Sequence, residues 1–178
     1  MRPTAASAKD HRQPGRLSTQ PSARGRAKPC RLVVLAVDAA DAVSAAGGLI
    51  FDSVRTGWIV DIYLEAPGDE RALHILGANG VGLPEMFEYE PAGLDAVFLS
   101  AVMHDRHRSV QRLVATSLRR HVTTVGVWGG TVTGLDAKAG SEHRLSTAAR
   151  AFKPHAMNAA GLPPFASDIE SFDGGQGR

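Results

Sequence analysis

Residues 32–37, Leu-Val-Val-Leu-Ala-Val, form an unbroken apolar run that constrains the fold more than any other feature of the chain. A strand that faces water on one side alternates apolar and polar residues, whereas a strand buried on both sides does not. Strands buried on both sides are typical of parallel sheets that helices cover from above and below. The run therefore predicts an α/β protein.

The rest of the chain alternates strand and helix patterns. Helices are predicted to begin near Asp41, Asp69, His104 and Glu142, and Pro154 is expected to kink or end the last of them. Strands are predicted at residues 32–37, 58–64, 86–89, 95–99 and 123–128, with 131–135 as a further candidate. The alternation predicts a three-layer α/β sandwich, in which a mostly parallel, doubly wound sheet of about five strands carries helices on both faces. For such a sheet we take the common strand order 3-2-1-4-5.

Composition divides the 178 residues into one domain and two tails. Residues 1–29 contain seven Lys or Arg, one Asp and almost no large apolar side chain, which predicts a disordered basic tail. Residues 30–160 form the predicted α/β domain. Residues 161–178 are again rich in Gly, Pro and Ser, and we expect a flexible tail there.

The net charge of +2 divides into +6 for residues 1–29 and −4 for the remainder. A basic arm of this kind can contact nucleic acid, but we favour a solubilising leader. Cys30 is the single cysteine, which excludes an internal disulfide and a cysteine-based zinc site. The sequence has neither an apolar stretch of the roughly 18–20 residues that span a bilayer nor the apolar segment of a secretory signal. We therefore expect a cytoplasmic protein without a membrane partner.

Two polar groups follow strands that are neighbours in the predicted sheet. Asp38 and Asp41 follow the first strand, and His104 and His107 follow the fourth. The loops after these two strands meet at the crevice where open α/β sheets bind their ligands. Carboxylates and imidazoles are ligands of catalytic zinc and manganese. The combination predicts a divalent-metal site with open positions for water.

Each group also has a simpler interpretation. Aspartate is favoured at helix starts, where it caps free N–H groups without any metal. His104 and His107 are three residues apart and would share a helix face. They are surrounded by Asp105, Arg106 and Arg108, which is equally typical of an exposed first turn.

Residues 31–152 resemble the LmbE/PIG-L family of metal-dependent de-N-acetylases, and the resemblance implies a Rossmann-like fold. In that family a buried strand leads into His-Pro-Asp-Asp, and a Gly-Gly pair follows. When Gly47-Gly48 is aligned with that pair, Asp38-Ala39-Ala40-Asp41 falls on the motif. The later His104-Asp105-Arg106-His107-Arg108 resembles the family's His-Pro-Asp-His-Arg.

The resemblance implies a role for each matching residue. Asp41 and His107 fall on metal ligands, Asp38 replaces a ligating His, and His104 falls on the acid or electrophile. The implied cofactor is a divalent metal, with zinc expected first and manganese or iron as alternatives. Ala40 replaces the general-base Asp of the family, and general-base assistance typically contributes 10²–10⁴-fold to a rate.

Two functions follow from this departure. The first is a divergent hydrolase with a divalent-metal site and at best weak activity on an N-acyl amino sugar or a similar small amide. The alternative is a non-catalytic relative that uses the same fold to bind a small molecule or a protein. A nucleotide-binding module is not favoured, because the first strand–helix turn lacks G-x-G-x-x-G.

Overall fold

The computed structural model describes residues 28–85, 93–120, 123–133, 135, 140–164 and 167–176. The predicted basic tail lies outside these residues, apart from Lys28 and Pro29. Within the described ranges, no helix is both long enough and apolar enough to cross a membrane.

Seven strands of the described residues form one sheet in the order β3-β2-β1-β4-β5-β7-β6. The first five strands pair in parallel, and the predicted order 3-2-1-4-5 is confirmed. The sheet then continues with two antiparallel pairings that the sequence did not predict. The strands are β1 (Arg31–Ala36), β2 (Ile59–Leu64), β3 (Gly80–Gly82), β4 (Ala96–Ser100), β5 (Thr124–Trp128), β6 (Ser141–Arg144) and β7 (Ile169–Gln176).

Helices cover both faces of the sheet, as predicted. In the described residues these are α1 (Ala39–Arg55), α2 (Arg71–Ile75), α3 (Ala101–Arg106), α4 (Arg108–Arg119) and α5 (Thr147–Ala159). One apolar core lies between the sheet and α1, α2 and α5, and a second lies between the sheet and α3 and α4. Neighbouring residues of β1 supply opposite cores, since Val34 joins the first and Val33 the second, and both are fully buried. This is why the run at residues 32–37 has no polar member.

The predicted edges of the sheet are less accurate than its centre. The third strand expected at residues 86–89 lies outside the described residues. The observed β3 comes earlier in the chain and pairs with β2, beginning with Gly80 opposite Ile62. Its sequence Gly-Val-Gly has low strand propensity, so pairing with β2 decides its conformation. The further strand expected at 131–135 is wrong for Thr131, Val132 and Thr133, which form a loop and a turn after Gly129-Gly130.

The C-terminal part differs most from expectation. The predicted helix at 142–153 is wrong at its start, because Ser141–Arg144 form β6 and α5 begins only after its N-cap Ser146. The helix passes Pro154 and ends at Ala159, since Ala156 and Met157 are buried against the first core. Residues 169–176, expected in a flexible tail, form β7 between β5 and β6.

A buried ion pair joins β7 to α1 at a kink. The backbone of α1 leaves helical geometry at Ala46 (φ −131°, ψ 15°). Glu170 of β7 accepts the backbone N–H groups of Gly48 and Leu49 at 2.7 and 2.9 Å, and Lys153 of α5 donates to the carbonyl of Ser44 at 2.9 Å. Lys153 Nζ and Glu170 Oε1 lie 2.5 Å apart, with the two side chains 0% and 1% exposed. The pair thus satisfies backbone groups that the kink leaves free.

Candidate functional site

Asp38 and Asp41 lie at the carboxyl end of β1, where they cap α1. Asp38 is the N-cap residue, and its Oδ1 accepts the backbone N–H of Asp41 at 2.8 Å. In return, Asp41 Oδ2 accepts the backbone N–H of Val37 at 3.0 Å. This reciprocal arrangement resembles a capping box and satisfies two donors at the helix start. Capping, the simpler of the two interpretations of this pair, is therefore observed.

The second oxygen of Asp41 is bound to a tryptophan from another strand. Trp128, the last residue of β5, donates its indole N–H to Asp41 Oδ1 at 2.8 Å. β4 lies between β1 and β5, so this hydrogen bond crosses the carboxyl end of β4. Trp128 is 8% exposed and packs edge to face against Phe172 of β7 at a centroid distance of 6.4 Å. The bond therefore closes one side of the expected crevice.

The two histidines do not share a helix face, contrary to the prediction of one helix from His104 to Arg120. His104 lies in the last turn of α3, and His107 has an extended backbone (φ −118°, ψ 109°) between α3 and α4. The helix is interrupted at His107, and the imidazole of this residue contacts Glu65. The two histidines therefore do not have the arrangement that a continuous helix would give.

Glu65 is a site residue that the sequence analysis missed. Its Oε1 lies 3.0 Å from His107 Nε2, and its Oε2 accepts a hydrogen bond from Arg106 at 2.8 Å. Glu65 directly follows β2, and β1 lies between β2 and β4, so these bonds cross the carboxyl end of β1. Its position after a strand was the available signal, since Asp38 was singled out on the same ground.

The environment of Glu65 favours its ionised form. Partial burial opposes ionisation, but the hydrogen bonds and charges of His107 and Arg106 outweigh it and lower the pKa of Glu65 below its ordinary value of 4.5. At neutral pH we therefore expect Glu65 to be a carboxylate that keeps both of its partners, Arg106 and His107.

His104 has the least satisfied polar group of the four predicted residues. Its Nδ1 is buried and has no hydrogen-bond partner among the described residues, and Asp105 Oδ1 lies 3.5 Å from it. The side chain as a whole is 17% exposed.

The residues present do not fit the expected metal. In the parts of the chain that the structure describes, no three His, Cys, Asp or Glu side chains form a group that could hold a metal ion. Asp38 and both oxygens of Asp41 accept protein N–H groups, and His107 is bound to Glu65. The predicted ligand set of Asp38, Asp41 and His107 is therefore not assembled.

Ala40 lies in a cleft beside these residues. The cleft has a volume of about 390 Å³ and is bounded by the start of α1, the segment after β2 and the end of α5. Its lining is almost entirely small, and its two acids come from the first two of these segments. The lining residues are Asp38, Ala39, Ala40, Ala66, Gly68, Asp69, Ala159, Ala160 and Gly161.

Comparison with solved structures identifies the fold. The chain is similar to a deacetylase of teicoplanin biosynthesis in complex with teicoplanin, with 12% identity, a TM-score of 0.54 and coverage of 80% of this chain and 96% of the other. The A40926 pseudoaglycone deacetylase Dbv21 matches at 15% identity, a TM-score of 0.49 and coverage of 74% and 81%. A zinc-inhibited form of the teicoplanin deacetylase Orf2 matches at 13%, 0.49, and coverage of 72% and 83%.

No protein-family model matches the chain, and no curated protein matches it either. We base the comparison on the deacetylase–teicoplanin complex, which has the TM-score of 0.54, and at 12% identity it shows the fold alone. The resemblance to LmbE/PIG-L de-N-acetylases is confirmed at that level: the protein has the α/β fold of these deacetylases.

Proposed function

We propose that this protein is a non-catalytic relative of the LmbE/PIG-L de-N-acetylases that binds a small molecule at the carboxyl edge of its sheet. The observation that carries the proposal is the 2.8 Å hydrogen bond from Trp128 Nε1 to Asp41 Oδ1. It joins the residue aligned with a family metal ligand to an indole of the protein itself.

A metal ion and the indole N–H compete for the same carboxylate. A cation at Asp41 Oδ1 would have to share this oxygen with the indole N–H or displace it, and a hydrogen bond to a charged group typically stabilises a protein by about 1.5–3 kcal/mol. Displacement would also leave the N–H of a side chain that is 8% exposed without an acceptor. The second oxygen is held by the backbone of Val37, so the carboxylate cannot turn freely.

The bonds of Glu65 oppose metal binding at the other predicted ligand. His107 Nε2 lies 3.0 Å from Glu65 Oε1, and Arg106 places a positive charge 2.8 Å from the other oxygen of that carboxylate. A cation approaching His107 would meet the guanidinium charge of Arg106. The two crossings, Asp41–Trp128 and Glu65–His107, thus take up the ligands that the resemblance implies.

The cleft beside Ala40 supports a binding role. Because Ala40 has no carboxylate, it cannot take a proton from water, but its small side chain leaves room for a ligand. A volume of about 390 Å³ lies in the range of small-molecule sites. The structural relative with the 0.54 TM-score was crystallised with teicoplanin. We therefore expect this cleft to hold a small-molecule ligand.

Weak de-N-acetylase activity is the second candidate, and His104 favours it. Its buried Nδ1 has no hydrogen-bond partner in the described residues, although Asp105 Oδ1 lies 3.5 Å away, and a substrate group could supply that partner. The candidate needs a metal, for which zinc is expected first and manganese or iron second, and it needs Asp41 and His107 to leave their present partners.

Acetate release and zinc retention distinguish the two candidates. The full chain is incubated with zinc and dialysed, and its zinc content and acetate release from N-acetylglucosamine are measured beside Asp41→Asn and His107→Ala. We expect no acetate above the protein-free control. The two variants should retain as much zinc as the wild type does. Acetate release by the wild type that both variants abolish would overturn the proposal in favour of the hydrolase.

A further inference from the structure

β6 forms one edge of the sheet, and within the described residues no strand lies on its outer side. The hydrogen bond from the backbone N–H of Leu145 to the carbonyl of Asp168, at 2.9 Å, fixes which backbone groups face β7. Because these groups alternate in direction along an antiparallel strand, those of His143 also face β7. The N–H and C=O groups of Glu142 and Arg144 therefore point away from β7, toward the free edge.

The outward backbone groups of β6 remain open to a further strand. In the part of the chain that the structure describes, no hydrogen bond reaches the N–H or C=O of Glu142 or Arg144 from outside β6 and β7. Both side chains are exposed. A row of free backbone donors and acceptors of this kind is a template on which another extended segment can pair.

The charges on β6 decide which segment can pair there, because charged side chains also protect edge strands from unwanted pairing. Glu142 and Arg144 are two residues apart, so they project from the same face of the strand. His143, between them, projects from the opposite face, where its Nε2 lies 3.0 Å from Asp52 Oδ2 of α1. The outer face of this edge thus has one negative and one positive charge, separated by one residue.

We propose that β6 pairs antiparallel with β6 of a second copy of this chain, about a two-fold axis that passes through His143. In this register Glu142 lies opposite Arg144 of the second copy, and Arg144 lies opposite its Glu142. These are the residues whose backbone groups point outward, so each opposed pair exchanges N–H···O=C hydrogen bonds in both directions. Backbone hydrogen bonds and cross-strand ion pairs then join the copies, and the two sheets become continuous.

Opposite charges select this register over the neighbouring ones that use the same backbone groups. A pairing centred on Glu142 would place two glutamates directly opposite each other, and a pairing centred on Arg144 would do the same with two arginines. Like charges directly opposite each other destabilise a strand pair. β3, at the other end of the described sheet, is Gly-Val-Gly and has no charge with which to select a partner. The charges of β6 are therefore complementary to a second β6.

The length of β6 sets the strength of the contact. A strand of four residues buries less than the roughly 1,200–2,000 Å² of a standard interface. We therefore expect a dimer that forms at high protein concentration and dissociates at the low concentrations used for unfolding measurements. Because salt screens ion pairs at an exposed edge, association should weaken as salt is added.

Charge reversal on β6 tests the proposal by sedimentation velocity of the full chain, at low salt and over a range of concentrations. Glu142→Arg and Arg144→Glu each place like charges in both cross-strand pairs, so each variant should associate at least about tenfold more weakly than the wild type. Glu142→Arg/Arg144→Glu restores opposite charges and should associate as the wild type does. Arg55→Glu, at an exposed position of α1, is the control for charge reversal elsewhere and should leave association unchanged.

A mixture of the two single variants gives a result that misfolding cannot imitate. Glu142→Arg has only arginine at the two positions and Arg144→Glu has only glutamate, so the mixture should form dimers at concentrations where each variant alone is a monomer. The proposal is overturned if the wild type is a monomer at the highest concentration reached, because the edge is then protected rather than paired. It is also overturned if the single variants associate as the wild type does, or if neither the mixture nor the double variant recovers association.

Discussion

Trp128 and Asp41 are joined by a 2.8 Å hydrogen bond that links the end of β5 to the start of α1 across the end of β4. The carboxylate also accepts the backbone N–H of Val37, so both of its oxygens have protein donors. In a sheet of this order, that position is the crevice where ligands normally bind. The protein thus places an internal contact at the position where the sequence predicted a ligand site.

Replacement of Trp128 by Phe should destabilise the protein by about 1–3 kcal/mol, because Asp41 loses an N–H donor while most of the aromatic packing against Phe172 remains. The free energy of unfolding in urea measures the effect. In a cycle with Asp41→Asn, the two changes should be clearly non-additive. Trp58→Phe is the control for exchanging indole for phenyl. Equal losses in the two tryptophan variants would show that the Asp41 contact contributes nothing.

Stability should fall in acid partly through Glu65. Its pKa is lowered in the folded protein, despite some desolvation, by His107 and Arg106, so its ionised form stabilises the fold. This contribution is complete above the ordinary pKa of 4.5 and is lost as the pH falls through the lowered value. Glu65→Gln should therefore flatten the dependence of the urea midpoint on pH below about 5. Glu142→Gln, at an exposed position of β6, serves as the control; a parallel response of both variants would refute the role of Glu65.

The buried pair of Lys153 and Glu170 should behave unlike a surface pair. Burial lowers the pKa of Lys153, although Glu170 acts in the opposite direction. Lys153→Met or Glu170→Ala leaves one charge buried without its partner, which typically costs about 3–5 kcal/mol. Lys153→Met/Glu170→Gln should recover part of that loss, because the amide oxygen can still accept an N–H group from the kink of α1.

The matched controls lie beside the same two residues. Arg150 and Asp168 form an exposed ion pair at 3.1 Å. Arg150 is three residues from Lys153, and Asp168 is two residues from Glu170. Arg150→Ala and Asp168→Ala should each change the unfolding free energy by no more than about 1 kcal/mol. If variants of the exposed pair and of the buried pair lost similar free energies of unfolding, burial would not explain the importance of the Lys153–Glu170 pair.

Gly47 and Gly48 should respond differently to alanine. A β-carbon at Gly48 would overlap the side chain of Leu145, which should cost about 1–3 kcal/mol. A β-carbon at Gly47 would lie 3.5 Å from Leu76 and Lys153, an ordinary contact, and alanine gains helix propensity. Thermal unfolding should therefore show a lower midpoint for Gly48→Ala alone. Two equally destabilised variants would mean that the kink, rather than Leu145, requires glycine.

The central strands were predictable because burial on both faces favours apolar residues at nearly every position. β1 and β4 consist of buried residues throughout, apart from the half-buried Arg31 at the start of β1. The parallel, doubly wound arrangement followed from the alternation of strands and helices, whereas the strand order was taken as the common one for such sheets. β7 could not be found in the same way, because its inward residues are Glu170, Phe172 and Gly174 rather than an apolar series. Its position depends on distant partners, namely the Lys153 ammonium and the backbone of β5.

The hydrogen-bond partners of the predicted site residues could not be read from the sequence. Strand ends were the reason for singling out Asp38, Asp41, His104 and His107, and their role as a site stays a prediction. The partners of these residues come from other strands, since Trp128 ends β5 and Glu65 follows β2. A pattern of local spacing contains no information on such pairings. For the same reason, it showed neither the interruption of the helix at His107 nor the contact of His107 with Glu65.

The indole N–H signal of Trp128 in a ¹H–¹⁵N spectrum tests the central claim most directly. Trp58→Phe assigns it, because the chain has two tryptophans. Our account predicts that the signal exchanges slowly with solvent, moves in Asp41→Asn, and stays in place when equimolar zinc is added. A zinc-dependent shift of this signal in the wild type that disappears in His107→Ala would contradict the account, because the metal would then hold Asp41 in place of the indole.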